Sequence, residues 1–187
     1  MKPSFNIYVS SDQHFNHWAI NRYCKRGFKS LQDMNSTMIK KWNRLVRPDD
    51  LIIHVGDLIF TQGASKNIIE ILKQLNGRII LVRGNHDRKS YSYYMTNGID
   101  FICERFSWYF NKKKILFIHS PHDVTYNDLK TCRYIIHGHS HDKGKFIHKN
   151  KQCQLINVSV ENTKFAPLNL VTLLNRVKQG YYEKGSL

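Results

Sequence analysis

Short apolar runs alternate along this chain with longer amphipathic stretches, and the apolar runs end in a consistent way. Phe5–Val9, Leu51–Val55, Ile79–Val82, Ile115–Ile118 and Tyr134–Ile136 are each of strand length. Each is followed closely by Asp, Asn or His. The polar ends are Asp12-Gln13-His14, Gly56-Asp57, Gly84-Asn85-His86-Asp87, His119 and Gly138-His139-Ser140-His141. Gly-Asp after one strand is an ordinary turn. Five such ends in one chain argue that they converge on metal, with Asp57 in the middle of the set.

The amphipathic stretches fall between these strands. A short helix is expected up to Cys24. Ser30 with Asp33 three residues on resembles a capping box, and Leu31, Met34, Met38, Ile39, Trp42 and Leu45 recur at helical spacing as a core stripe. Arg47-Pro48 stops that helix. Asn67–Leu75 reads as a third helix closed by Asn76-Gly77, and Lys89–Met95 as a fourth, whose Tyr91, Tyr93 and Tyr94 are either core or a surface for stacking a base. Strand, helix, strand, helix, strand argues for a largely parallel sheet, with the site in the crevice at its C-terminal strand ends. Beyond it, Arg105–Phe110 and Lys114–Ile118 form a hairpin around Asn111–Lys113. Arg133–His137 is a strand, and Lys145–His148 with Gln152–Val158 form a second hairpin with a turn at Asn150. Leu168–Val177 is strand or helix; its pattern does not decide.

At 187 residues the chain is expected to be one domain. Lys and Arg number 29 against 14 Asp and Glu, a formal net charge of +15. That balance favours polyanionic partners, whether nucleic acid, nucleotides or anionic lipid, or it is a solvated basic surface. Arg22, Lys25 and Arg26 follow the first metal-type loop and are candidates for binding a substrate phosphate, or part of that solvated face. Cys24, Cys103, Cys132 and Cys153 have no knuckle or redox spacing. They read as reduced thiols of a cytoplasmic protein. No signal peptide is evident, and no run approaches the roughly 18 apolar residues of a membrane span.

Carboxylate, imidazole and amide oxygens without thiolates suit Mn, Fe, Zn or Ni. Alternation along an extended backbone would place Asp12 and His14 on one side. His17 either lines the site or packs, and His54 reads as a core histidine. A central Asp57 could bridge two ions.

In this order, Asp-x-His, Gly-Asp, Gly-Asn-His-Asp, a lone His after a strand and Gly-His-x-His resemble the signature of the calcineurin-like metallophosphoesterases, from Asp12 to His141. The resemblance implies an α/β fold, a four-layer α/β/β/α sandwich of the metallo-dependent phosphatase type, without a separate cap domain. It implies two divalent ions, manganese first. One would take Asp12, His14, Asp57 and His141; the other would take Asp57, Asn85, His119 and His139. A metal-bound hydroxide would attack phosphorus. Asn85 and His86 would contact the phosphate, and His86 would help protonate the leaving oxygen with Asp87 orienting it. Ser120 stands where the family often has Gly. The basic charge leans the expected substrate toward phosphodiesters of nucleic acid or nucleotides. A phosphomonoesterase is the alternative, and a non-catalytic scaffold a third.

Overall fold

Two continuous apolar faces per strand explain the architecture. In β2 (Leu51–His54), Ile52 faces one core and Ile53 another. In β6 (Lys113–Ile118), Ile115 and Phe117 face that second core while Leu116 and Ile118 face a third. A strand buried on both sides reads as an unbroken apolar run because each face packs against a different layer.

The computed structural model describes residues 5–61, 66–143, 147–149 and 152–179. β1 (Ile7–Ser10), β2, β3 (Arg78–Val82) and β4 (Phe101–Cys103) pair parallel in sequence order, and β10 (Leu168–Asn169) joins β1 antiparallel at the other edge. The second sheet has the order β5 (Arg105–Phe110), β6, β7 (Tyr134–His137), β9 (Gln154–Asn157), β8 (Ile147–Lys149). Its β6, β7 and β9 are parallel, and the outer strands pair antiparallel.

Helices α1 (Trp18–Tyr23), α2 (Leu31–Leu45), α3 (Lys66–Leu72) and α4 (Tyr91–Thr96) connect the first sheet. Met34, Met38 and Trp42 of α2 pack with Ile52, Ile79 and Leu81 in the outer core. Between the sheets, Val9, Ile53 and Val82 meet Phe117, Ile136 and Ile156. On the far side α5 (Tyr126–Thr131) lays Leu129 against Leu116, Ile135 and Cys153. Helices, sheet, sheet and helix make the expected four layers. Each fully buried aliphatic side chain contributes about 1.5–3 kcal/mol.

Local chemistry sets the element ends. Ser30 Oγ accepts the Asp33 N–H at 3.0 Å and starts α2. Asp33 returns its carboxylate to the Lys29 N–H rather than to Ser30, so only half of the capping box forms. The β5–β6 turn is two residues, Asn111 and Lys112, both at positive φ, the hairpin geometry matching strand twist; Lys113 belongs to β6. Leu168–Val177 contains both alternatives: β10, then α6 (Leu170–Gln179), whose Leu170, Leu173, Leu174 and Val177 enter the core between the sheets. Residues 62–65, the turn at Asn150, and Lys145 and Lys151 lie outside the described residues. Among those described, no helix is long and apolar enough to cross a membrane.

Candidate metal centre

The parallel strands β1, β2, β3, β6, β7 and β9 deliver their C-terminal loops to one place. The loop after β1 lies along the loop after β2: Asp12 N–H donates to Gly56 O, His14 N–H to Asp57 O and Phe15 N–H to Leu58 O, each at 3.0 Å. This lacing corrects one expectation. Asp12 and His14 do not share a side through extended alternation. Their φ angles are 61° and 51°, and Asp57, His139 and His141 are also left-handed. Asp, Asn and His tolerate that region better than other side chains, at roughly 1–3 kcal/mol of strain each, held by the surrounding structure.

Asp57 Oδ2 is the centre. It lies 3.4 Å from His14 Nε2 and 3.5 Å from His119 Nε2. On one side, donor atoms of Asp12, His14 and His141 lie within 4.8 Å of one another. On the other, Asn85 Oδ1 is 3.0 Å from both His119 Nε2 and His139 Nδ1, which are 3.3 Å apart. These side chains come from five strand ends, with Asp12 and His14 sharing one and His139 and His141 another, and all seven residues expected as ligands are brought together.

The donor set fits divalent cations. His14 Nε2 is buried beside two carboxylates with no hydrogen-bond partner, a state that costs about 1–3 kcal/mol unless something pairs with it. Burial holds His14 well below the usual histidine range and raises Asp12. Burial would also raise Asp57, but His119, His14 and the His86 N–H overrule it and hold the carboxylate ionised. Burial lowers His119, yet Asp57 and Asp12 lift it to about 9. Tautomers are set from behind: His119 Nδ1 faces Val55 O at 2.8 Å, leaving Nε2 for the site, the usual support for a ligand imidazole.

Two glycines are required by approach. A Cβ on Gly56, at φ 98°, would sit 2.3 Å from His119 Nδ1. One on Gly84 would sit 2.2 Å from Asp57 Oδ1 and 2.4 Å from Asp57 N. Ser120 takes up its own turn, capping a 3₁₀ turn at Pro121–Asp123.

The other expected residues divide. His86 is half-buried, its ring 5.1 Å from that of His14, and its Nδ1 has no hydrogen-bond partner. Asp87 does not orient it. The Asp87 carboxylate accepts the N–H groups of Asp57 at 2.7 Å, Gly84 at 2.9 Å and Leu58 at 3.2 Å, so it ties two loops together. Burial, then Asp57, pushes it up to about 7. Arg26 is a correction too. Its side chain is buried, donating to Asp12 O at 2.7 Å, Gln13 O at 2.8 Å and Glu161 Oε1 at 2.6 and 2.9 Å, so it is not available to a substrate. Arg22 is exposed, its guanidinium over Tyr23. His17 is half-buried, stacked on Phe60 with its Nδ1 3.4 Å from His14 Nδ1. His54 is a core histidine bonded to Gln13. Tyr94 is buried and cannot stack a base; Tyr91 is partly exposed and bonds Glu104.

The segment after β9 is a wall of the site that motif spacing missed. Ser159 Oγ donates to Asp12 Oδ2 at 2.9 Å, Asn157 and Asn162 donate to His141 O, and Glu161 Oε1 accepts from His141 Nδ1 at 3.1 Å. The signal was present: β9 also ends in polar residues, Asn157, Ser159, Glu161 and Asn162. Open cavities flank the centre. One of about 520 Å³ is lined by Arg83, Arg88 and Arg105 beside Asn85 and His119; another of about 510 Å³ is lined by Tyr23, Cys24 and Lys143 beside His141. His139 lines both.

Residues 5–169 match the model of the calcineurin-like phosphoesterase superfamily domain. An uncharacterised protein of Methanocaldococcus jannaschii is 37% identical over 178 residues, covering 93% of this chain and 92% of its own. The crystal structure of a protein of unknown function from Aquifex aeolicus superposes with a TM-score of 0.69 at 24% identity, covering 92% of this chain and 99% of that one. A novel archaeal phosphodiesterase superposes at 0.49 with 18% identity, over 82% of each chain.

Proposed function

The chain belongs to the calcineurin-like phosphoesterase superfamily, and from that premise we propose that it is a dinuclear-metal phosphodiesterase acting on nucleic acid or nucleotides. The observation that carries this reading is the position of Asp57 Oδ2, at 3.4 and 3.5 Å between two imidazole-bearing donor sets. Asp12, His14, Asp57 and His141 would hold one ion, and Asp57, Asn85, His119 and His139 the other. Two divalent cations, manganese first and iron, zinc or nickel after it, would supply Lewis acidity and an activated water.

The chain's own residues do the rest. His86 lies partly exposed against His14 of the first donor set, its Nδ1 without a hydrogen-bond partner, and is suited to contact the phosphate and give a proton to the leaving oxygen. Asp87 holds the loops bearing Asp57 and His86 in register through backbone N–H groups. Cavities open on both sides of His139 and suit a phosphorus atom with a substituent on each side, as in a diester. The cations Arg83, Arg88 and Arg105 on one wall, and exposed Arg22 soon after the first ligand loop in sequence, suit further phosphates.

The test is hydrolysis of bis-p-nitrophenyl phosphate against p-nitrophenyl phosphate, then of cyclic nucleotides, RNA and DNA, with manganese and with Asp57→Asn as the inactive control. Faster turnover of the diester and cleavage of a nucleotide substrate are expected. A clear preference for the monoester would replace this reading with a phosphomonoesterase.

A further inference from the structure

Cys24 caps the C-terminus of α1 and lines the cavity of about 510 Å³ that opens beside His141. Its Sγ, a ring nitrogen of His141 and a carboxylate oxygen of Glu161 lie within 4.8 Å of one another. Glu161 gives only Oε1 to its partners, Arg26 at 2.6 and 2.9 Å and His141 Nδ1 at 3.1 Å. Its Oε2 is buried with no hydrogen-bond partner. Buried carboxylate oxygens are rarely left so. The same signature, a buried donor atom without a hydrogen-bond partner in a cluster of ligand types, marks His14 Nε2 at the metal centre.

We propose that Cys24, Glu161 and His141 form an auxiliary site for a thiophilic divalent cation of the zinc class, and that its occupant competes with the first ion for His141. The competition rests on the reading of His141 as a ligand of that ion; the auxiliary binding does not. Thiolate selects zinc-class ions over manganese or magnesium, while imidazole and carboxylate accept either. On binding, the Cys24 thiol loses its proton to solvent, and thiolate and carboxylate together balance the 2+ charge.

Arg26 stays on Oε1. Its charge weakens the auxiliary site relative to the catalytic pair, so zinc fills it only in excess. A neutral imidazole has one lone pair. His141 turns Nε2 toward Asp12 at 3.8 Å and Nδ1 toward Glu161 at 3.1 Å. With the proton on Nδ1 and donated to Glu161, the lone pair serves the first donor set. With the proton on Nε2, it serves Cys24 and Glu161. The two uses exclude each other.

Cadmium is the probe, because a cadmium–thiolate bond absorbs in the near ultraviolet. The manganese-loaded protein is titrated with cadmium while absorbance and bound metal are followed, in wild type, Cys24→Ser and Cys103→Ser. The expected result is one thiolate band per chain in wild type and Cys103→Ser, none in Cys24→Ser, and loss of one manganese as the band grows. Zinc inhibition of diester hydrolysis should need more than about tenfold more zinc in Cys24→Ser, since loss of even an outer partner weakens metal sites 10–100-fold. A band absent from wild type, or unchanged in Cys24→Ser, overturns the site. A Cys24-dependent band with both manganese ions retained overturns the competition for His141. A Cys24-dependent band in a protein that hydrolyses no phosphoester leaves the site standing and overturns the proposed function instead.

Discussion

Arg26 and Glu161, 135 positions apart in sequence, meet in a buried ion pair at 2.6 Å behind the first donor set. Arg26 also holds Asp12 O and Gln13 O, and Glu161 also holds His141 Nδ1. The pair therefore braces a ligand loop at each end of the chain. Removing one partner leaves the other charged and buried, which costs about 3–5 kcal/mol. Arg26→Leu should lower the melting temperature by on the order of 10 °C for a chain of this size. Glu161→Gln keeps the shape but loses the charge, and should release one ion of two. Calorimetry and metal analysis read the two effects; a variant with both ions and wild-type melting would show the brace to be idle.

Asp57→Asn should release both ions, because the carboxylate oxygen that lies 3.4 Å from His14 Nε2 and 3.5 Å from His119 Nε2 is replaced by a weaker ligand. Asp57 Oδ1 also accepts the His86 N–H at 2.8 Å, so the Gly84–Asp87 loop loosens with it. Metal content of the purified variant decides. Two retained ions would show that Asp57 is not the bridge.

Acid should loosen the same brace in the metal-free protein. Burial would raise Glu161, but His141 and Arg26 reverse that and hold it at about 2, against an ordinary 4.5. A depressed carboxylate contributes stability that is complete above its unfolded value and lost as pH falls through its folded one. The loss therefore runs from about pH 4.5 down to about 2 and amounts to a few kcal/mol. Urea midpoints of wild type and Glu161→Gln, with metals chelated, should converge as pH falls through that window. Parallel curves would mean that Glu161 is not ionised in the fold.

The seven candidate ligands were legible because five strand ends carry one composition, and strand ends are where an open parallel sheet places chemistry. The sandwich was legible in part: alternating burial on β2 and β6 leaves an unbroken apolar run, which announces a strand but not which layer covers each face. Other features were not legible. Arg26 looks like any lysine or arginine of a basic surface, and only the return of the chain at Glu161 shows its partner. Asp87 sits next to His86 in sequence, which suggested contact, but its carboxylate turns to backbone N–H groups that no pattern displays. The approach of Asp12 to His14 depends on left-handed turns, and side-chain periodicity carries no record of those.

Gly84→Ala tests how tightly the loops close. The added methyl would meet Asp57 Oδ1 at 2.2 Å and Asp57 N at 2.4 Å, so backbone must move. Overpacking of this kind costs about 1–3 kcal/mol or more, and here the displaced group is the central carboxylate. Weaker binding of both ions is expected along with the lower melting temperature. Destabilisation without any change in metal affinity would show that the loops shift without carrying Asp57.

Salt dependence separates a polynucleotide track from a merely basic surface. Arg83, Arg88 and Arg105 line the cavity beside His119 and Asn85, with Glu104 and Asp123 among them. Arg83 is paired with Glu104 at 3.4 Å and Arg105 with Asp128 at 2.6 Å. Arg88 is exposed, its Nε donating to Asn85 O at 3.3 Å, which leaves its terminal nitrogens to meet a phosphate next to the reacting one. Each phosphate contact on a single strand releases counterions and adds about −0.7 to the slope of log affinity against log salt. KM for a single-stranded oligonucleotide should rise steeply with salt, while KM for bis-p-nitrophenyl phosphate stays nearly flat. Arg88→Ala should reduce the oligonucleotide slope by about 0.7, one contact's worth, without changing kcat on the small diester. The comparison needs only initial rates at several salt concentrations and fixed manganese. An oligonucleotide KM as flat as that of the small diester, or an unchanged slope in Arg88→Ala, would mean that the arginine wall does not follow the substrate backbone, and a small nucleotide would become the favoured substrate.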